Sequence, residues 1–115
     1  MPPNYNIAKI ESLRPNDNLY TSLINQLEKD FSMCGITWEE YPNILPENLF
    51  EEINEMVSKL LNGKLNTDIR AWLYRIDVRE KALRQIEVLS VPEITTLVIE
   101  REMEKVWLRQ KYSTL

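Results

Sequence analysis

The last third of the chain, residues 90 to 112, constrains the fold most, because it has the pattern of a single long helix. Ser90, Pro92 and Glu93 match a capping box, with a serine before the helix, a proline in its first turn and a glutamate at the third helical position. The glutamate-rich continuation from 100 to 105 also favours helix. We therefore expect a long C-terminal helix.

Apolar residues occur on two sides of this predicted helix. At 100° per residue, one group lies within about 60° of a single direction. That group consists of Ile94, Leu97, Val98 and Leu108. The second group, on roughly the opposite side, consists of Ile99, Met103, Val106 and Trp107. A helix of this kind is either central in its own domain, which is the preferred interpretation, or has one face against a second chain.

The second interpretation identifies candidate partner-contact residues. They are the members of the second group, Ile99, Met103, Val106 and Trp107, and Trp107 is the first choice because interfaces are enriched in aromatic residues. A local alternative also remains open. The run from 95 to 99 is rich in β-branched residues, which is typical of a buried strand as well.

Two helices are predicted upstream. The first covers about 17 to 33, with Gly35 in the place of a left-handed C-terminal cap. The second begins at Pro46, ends at Gly63 and carries a continuous apolar stripe. Its opposite side is an acidic ridge that we expect to lie in water, formed by Glu47, Glu51 and Glu55.

A third region of helix follows Thr67, which is expected to cap it, and Trp72 lies on its apolar face. After Asp77 the apolar positions move to a different face. The sequence is compatible with one bent helix or with two short helices that abut.

These patterns predict an all-α fold, a compact bundle of four to five helices with a long C-terminal helix. Both glycines of the chain fall at predicted helix ends, which favours a bundle over a sheet. We expect a single helical domain over residues 17 to 115. Residues 1 to 16 hold three prolines and are predicted to form an N-terminal arm with room for one short turn of helix.

The absence of histidine excludes more functions than any motif suggests. Serine or cysteine dyads with histidine, and zinc sites that use histidine, are excluded within one chain. Cys34 is the only cysteine and is expected to act as a small apolar residue. Two isolated glycines cannot form a phosphate-binding loop. We therefore predict no catalytic site, no cofactor site and no metal site, and we do not expect an enzyme.

Composition indicates the compartment. No stretch approaches the roughly 20 apolar residues of a membrane span, and the first residues lack the pattern of a signal peptide. A single cysteine agrees with a reducing environment. The expected location is the cytoplasm, without a membrane partner.

One basic constellation suggests a binding function. Arg101, Lys105 and Arg109 recur every four residues and would form one ridge of the last helix, which makes them candidate anion-binding residues. The acidic isoelectric point near 4.9 disfavours nucleic acid as a partner. The expected function is that of a non-enzymatic helical protein acting through protein contacts, as a homo-oligomer or as an adaptor or regulatory subunit. A nucleic-acid or phosphate-binding module is the alternative.

Overall fold

A computed structural model describes residues 6–65 and 67–113, and this part of the chain is all-α, with six α-helices, one 3₁₀ turn and no strand. The elements are α1 (Ile7–Glu11), α2 (Asn18–Met33), the 3₁₀ turn (Pro46–Asn48), α3 (Leu49–Leu61), α4 (Ile69–Ile76), α5 (Glu80–Arg84) and α6 (Val91–Ser113). The predicted fold class is confirmed. The helix count is slightly higher than expected because the arm contributes a short helix of its own.

Helix α6 forms the centre of the bundle and packs chiefly against α2 and α3, with further contacts to α4 and α1. At 100° per residue its buried positions span about half of its circumference. They are Ile94, Thr95, Val98, Ile99, Glu102, Met103 and Val106. This buried arc takes residues from both predicted apolar groups, so the structure shows the central burial that the sequence favoured.

The start of α6 follows the predicted capping box. The Ser90 amide donates to Glu93 Oε1 at 3.0 Å, and the Glu93 amide donates to Ser90 Oγ at 3.2 Å. These two bonds satisfy amide groups that have no partner inside the helix. The helix then continues without interruption through 95 to 99, so the strand alternative for this run is wrong.

Helices α2 and α3 end next to the two glycines, as predicted. Asp17 caps α2 by accepting a hydrogen bond from the Leu19 amide at 2.8 Å. Gly35 and Gly63 adopt φ values of +74° and +68° after α2 and α3, a conformation in which a side chain would be strained. The acidic ridge of Glu47, Glu51 and Glu55 is exposed, as predicted.

Thr67 does not cap the third helical region, contrary to the prediction. The cap of α4 is Asp68, which accepts a 2.9 Å hydrogen bond from the Arg70 amide. The Thr67 hydroxyl instead donates to the Cys34 carbonyl at 2.7 Å. A carbonyl at the end of α2 lacks a partner within its own helix, and Thr67 supplies one.

The chain breaks at Asp77, which decides between the two alternatives left open there. Asp77 has φ of +70° and ψ of 44°, the left-handed conformation, and ends α4. α5 begins three residues later at Glu80. Two short helices therefore abut.

The described part of the N-terminal arm packs against the bundle. Asn6 caps α1 through a 2.9 Å hydrogen bond from the Lys9 amide, and Ile10 lies in the same core as the main helices. Residues 1 to 5 of the arm, Asn66 and residues 114 and 115 lie outside the described part of the chain.

Aromatic packing forms one end of the core. Phe31 stacks on Trp72, with ring centroids 5.1 Å apart and planes 9° from parallel, and meets Trp38 edge-on at 5.3 Å. Both tryptophans are buried, as expected for Trp72 on its apolar face. Among the described helices, none combines the length and apolar character that crossing a bilayer requires.

Candidate functional site

The four predicted partner-contact residues have different surroundings. Ile99, Met103 and Val106 are each 1% exposed, on a helix that packs chiefly against α2 and α3 of the same chain. Trp107 is half-buried, and the Lys111 ammonium lies 5.0 Å from its ring centroid. Of these four residues, only Trp107 presents surface that a partner could reach without opening the bundle.

The predicted basic ridge makes internal contacts along its whole length. Arg101 donates to the Asp77 carbonyl at 3.0 Å and to the Asp77 carboxylate at 2.9 Å, and it also pairs with Glu104. Lys105 donates to Asp30 at 2.9 Å. Arg109 donates to Gln26 Oε1 at 2.6 Å. The ridge therefore fastens α6 to α2 and to the end of α4.

Contacts from this ridge form part of a polar seam between α2 and α6, which run antiparallel. On α2 the seam residues recur every four positions, as Ser22, Gln26 and Asp30. Their partners on α6 run in the opposite order. Ser22 accepts from Gln110 at 3.0 Å, Gln26 from Arg109 at 2.6 Å, and Asp30 from Lys105 at 2.9 Å. Such a ladder of specific polar contacts defines one register of the two helices.

Asp30 is the most fully hydrogen-bonded member of the seam. It is 1% exposed and accepts hydrogen bonds from Gln26 at 3.1 Å, Lys105 at 2.9 Å and Arg75 at 3.3 Å. Burial by itself raises the pKa of Asp30. Hydrogen bonds from Glu102, Lys105 and Gln26, with the charge of Lys105, outweigh burial and hold this pKa below its ordinary value.

Glu102 lies beside Asp30 with 0% of its surface exposed. Lys105 Nζ is 2.5 Å from Glu102 Oε1, but the contact lacks hydrogen-bond alignment, and neither oxygen of Glu102 accepts an aligned hydrogen bond. Burial raises the pKa of Glu102 to about 9, with a further increase from the hydrogen bond to Asp30. Lys105 acts in the opposite direction on the pKa of Glu102 but does not outweigh burial, so the surroundings favour the neutral form of Glu102 and the ionised form of Asp30.

This acid pair was not predicted from the sequence. Two adjacent carboxyl groups with opposite pKa shifts are a pattern that acid–base enzymes use. Four surface pockets formed by described residues are all lined by other side chains, and both carboxyls are buried. A signal was available in the sequence, because Glu102 falls between the two apolar groups of the long helix, where a charged residue has to be buried.

A groove lies between the α5 segment and α6. It encloses about 490 Å³, and its apolar wall is formed by Val78, Ala82, Leu89 and Leu97. A second pocket of about 380 Å³ shares Leu89 and Leu97 and extends the groove toward the start of α6. We call this surface the α5–α6 groove. Val88, next to Leu89 in the chain, is 80% exposed.

Charged side chains of both signs border the α5–α6 groove. Arg79 and Lys81 come from the α5 side. Helix α6 contributes Glu100, together with Arg101 and Glu104, which pair with each other. Within the described residues, no oppositely charged side chain lies within ion-pair distance of Arg79, Lys81 or Glu100. Burial raises the pKa of Glu100. The groove thus has an apolar wall and, on its two sides, charges without a counter-ion from the described part of the chain.

Among the described residues, no three histidine, cysteine, aspartate or glutamate side chains converge to hold a metal ion. Cys34 is half-buried at the end of α2, and burial, followed by the nearby charge of Asp30, raises the pKa of its thiol. Comparison of the chain with protein-family models, with curated proteins and with solved structures gives no match. Its function therefore has to be inferred from its own residues.

Proposed function

We propose that this chain is a helical module that acts through protein contacts, and that it self-associates through the α5–α6 groove. The observation that carries the proposal is the combination of an open apolar wall with charges of both signs that lack partners within the described part of the chain. This surface differs from the one that the sequence suggested, because Ile99, Met103 and Val106 are already covered by the chain itself.

The apolar wall supplies the driving force for association. Leu89 and Leu97 are only partly covered, and Val88, next to Leu89 in the chain, is exposed. Covering such surface contributes about 25 cal/mol for each Å² removed from water.

The charges select the partner. Arg79 and Lys81 border one side of the groove and Glu100 the other. In a two-fold symmetric contact the same patch occurs on both copies. If residue i of one copy contacts residue j of the second, then residue j of the first copy also contacts residue i of the second. Glu100 of one copy would then face the α5 cations of the second copy, and the reverse contact would form at the same time. The patch is therefore complementary to itself, which favours a second copy over an unrelated protein.

The alternative of a nucleic-acid or phosphate-binding module has less support. Arg101, Lys105 and Arg109 each donate hydrogen bonds to other parts of the chain. Binding phosphates with these side chains would require those contacts to break, whereas the groove needs no such rearrangement.

Light scattering after size exclusion, over a wide concentration range, tests the proposal. The expected result is a dimer whose fraction rises with concentration. Leu97→Glu places a charge on the apolar wall and should give a monomer with unchanged helical content. Leu108→Glu is the matched control, since Leu108 is also half-buried on α6 but does not line the groove, and it should leave the dimer intact.

A charge exchange tests the geometry of the contact. Glu100→Lys alone, and Arg79→Glu with Lys81→Glu, should each weaken self-association, because like charges would then face each other across the two-fold axis. An equimolar mixture of the two variants should recover the dimer, since both contacts in the mixed pair are attractive. A wild-type chain that stays monomeric at every concentration, or a mixture that does not recover association, would overturn the proposal.

A further inference from the structure

We propose that Asp30 and Glu102 form a proton-holding site at the centre of the bundle, in which one proton is shared between two carboxyl groups at neutral pH. The proton acts as a latch, meaning that the α2–α6 seam stays closed while the proton is bound and loosens when it leaves. This site is separate from the α5–α6 groove and does not depend on self-association. Its ligand is a proton, and its two halves come from helices that are distant in sequence.

The hydrogen-bond geometry identifies which carboxyl carries the proton. The oxygens of Asp30 accept three hydrogen bonds, from Gln26, Arg75 and Lys105, so Asp30 is stabilised as an anion. The oxygens of Glu102 accept no aligned hydrogen bond and are fully buried. A carboxylate in that position would be a fully buried charge whose close donor, Lys105 Nζ at 2.5 Å from Oε1, is not aligned with it and is already bonded to Asp30, which favours the protonated form. A protonated Glu102 can instead donate its O–H to Asp30.

The cations around the pair lie mainly on the Asp30 side. The ionisable side chains near the two carboxyls are Lys105 and Arg109 on α6, Arg75 on α4 and Cys34 at the end of α2. Arg75 pairs with Asp30 at 3.3 Å and Arg109 is bonded to Gln26, so Lys105 is the one of these cations that contacts Glu102. With Glu102 neutral, Lys105 and Arg75 both stabilise the charge of Asp30. With both carboxyls ionised, Glu102 competes with Asp30 for the Lys105 ammonium.

The position of Lys105 makes the proton a latch. Its ammonium donates to Asp30 at 2.9 Å and to the Ile76 carbonyl at 3.1 Å, so it joins α6 to both α2 and α4. Loss of the proton places a second negative charge where these three helices meet. Entry of water or separation of α2 from α6 relieves that repulsion, so the seam loosens as the proton leaves. The high pKa of Glu102, caused first by its burial, is consistent with a proton retained through neutral pH.

Carbon NMR of protein labelled at the glutamate side-chain carboxyl tests the site. On titration from about pH 5 to about pH 8, one glutamate signal should remain in the protonated position while the others are ionised. That signal should disappear in Glu102→Gln and persist in Glu51→Gln, an exposed glutamate used as the matched control. If every glutamate signal of the wild-type protein titrates in the acidic range, the proposal is wrong.

A second variant separates a shared proton from simple burial. Asp30→Asn removes the neighbouring negative charge that competes with Glu102 for the Lys105 ammonium, so the titration midpoint of Glu102 should move to lower pH. An unchanged midpoint would mean that burial alone protonates Glu102 and would overturn the sharing of the proton.

The latch has its own readout, which does not require the Asp30 variant to fold. Backbone amide signals of α2 and α6 along the seam should shift with the same alkaline midpoint as the Glu102 carboxyl. In Glu102→Gln, where the side chain stays neutral at every pH, those shifts should be absent. If they persist in Glu102→Gln, or do not occur in the wild-type protein, the pair is not a latch.

Discussion

Arg101 binds Asp77, the residue in left-handed conformation that ends α4, at two points. Its Nε donates to the Asp77 carbonyl at 3.0 Å, and its Nη2 donates to the Asp77 carboxylate at 2.9 Å. Asp77 has φ of +70°, a conformation that costs about 1 kcal/mol or more for most residues but is better tolerated by aspartate. The contact therefore joins the break between α4 and α5 to the central helix and positions the groove beside it.

Arg101→Ala should lower the free energy of unfolding by about 1–2 kcal/mol, because it removes charge-assisted hydrogen bonds from a partly buried site. Urea unfolding followed by circular dichroism measures this loss. Arg84→Ala is the matched control. Arg84 pairs with Glu80 on the exposed surface of α5, so its loss should cost about 0.5 kcal/mol or less. Equal losses for the two variants would show that Arg101 does not hold the chain break.

Met103→Ala should lower the free energy of unfolding by about 2–4 kcal/mol, since it empties space in the core around α6. Chemical unfolding measures the loss, and light scattering should show that the mass in solution is unchanged. Leu108→Ala, on the half-buried side of the same helix, should cost clearly less. A reduced mass with unchanged stability would instead indicate that Met103 lies at a subunit interface.

Ser90→Ala should destabilise the protein by about 1 kcal/mol, because the first amides of α6 lose their capping partner. The shift in the thermal midpoint measures this effect. Ser32→Ala serves as control, since Ser32 is exposed in the last turn of α2 and none of the hydrogen bonds found among the described residues involves its hydroxyl. A comparable decrease in both variants would contradict the capping role.

The stability of the protein should fall as pH rises from about 4.5 to about 9. The folded-state pKa of Glu102 is raised above the ordinary value of 4.5 to about 9 by burial, so its stabilising contribution is complete below the lower value and is lost as pH approaches the upper one. One proton gives a slope of at most about 1.4 kcal/mol per pH unit.

Glu102→Gln should flatten this dependence, because glutamine has no proton to lose. Unfolding free energies in urea, measured across the pH range, provide the comparison, with Glu51→Gln as an exposed control. At strongly acidic pH the opposite loss is expected from Asp30, whose lowered pKa stabilises the fold only while it is ionised. A slope in Glu102→Gln as steep as that of the wild-type protein would contradict the assignment.

Local sequence signals predicted most helix ends correctly. The capping box at Ser90 and the two glycines act through backbone groups a few residues away, so their effects can be read from neighbouring residues in the sequence. Thr67 shows the limit of this reasoning. Its hydroxyl bonds to Cys34, which is close only after folding, and Asp68 becomes the cap instead.

The choice between partner face and core at α6 required the whole structure. The sequence showed two apolar groups on the helix, but whether one bundle covers both depends on how α2 and α3 pack around it. The basic ridge is a similar case. Its spacing is correct in the sequence, but the partners of Lys105 and Arg109 lie on α2, more than seventy residues away in the chain.

Helical periodicity, caps and glycines are local properties of the chain, so the fold class, the main helices and most of their ends could be predicted from the residues alone. The packing of the helices was needed to show that Ile99, Met103 and Val106 are covered from within, that Glu102 lies beside Asp30, and that the α5–α6 groove is open. Burial, pKa and charge pairing depend on which helices become neighbours, and no short window of sequence contains that information.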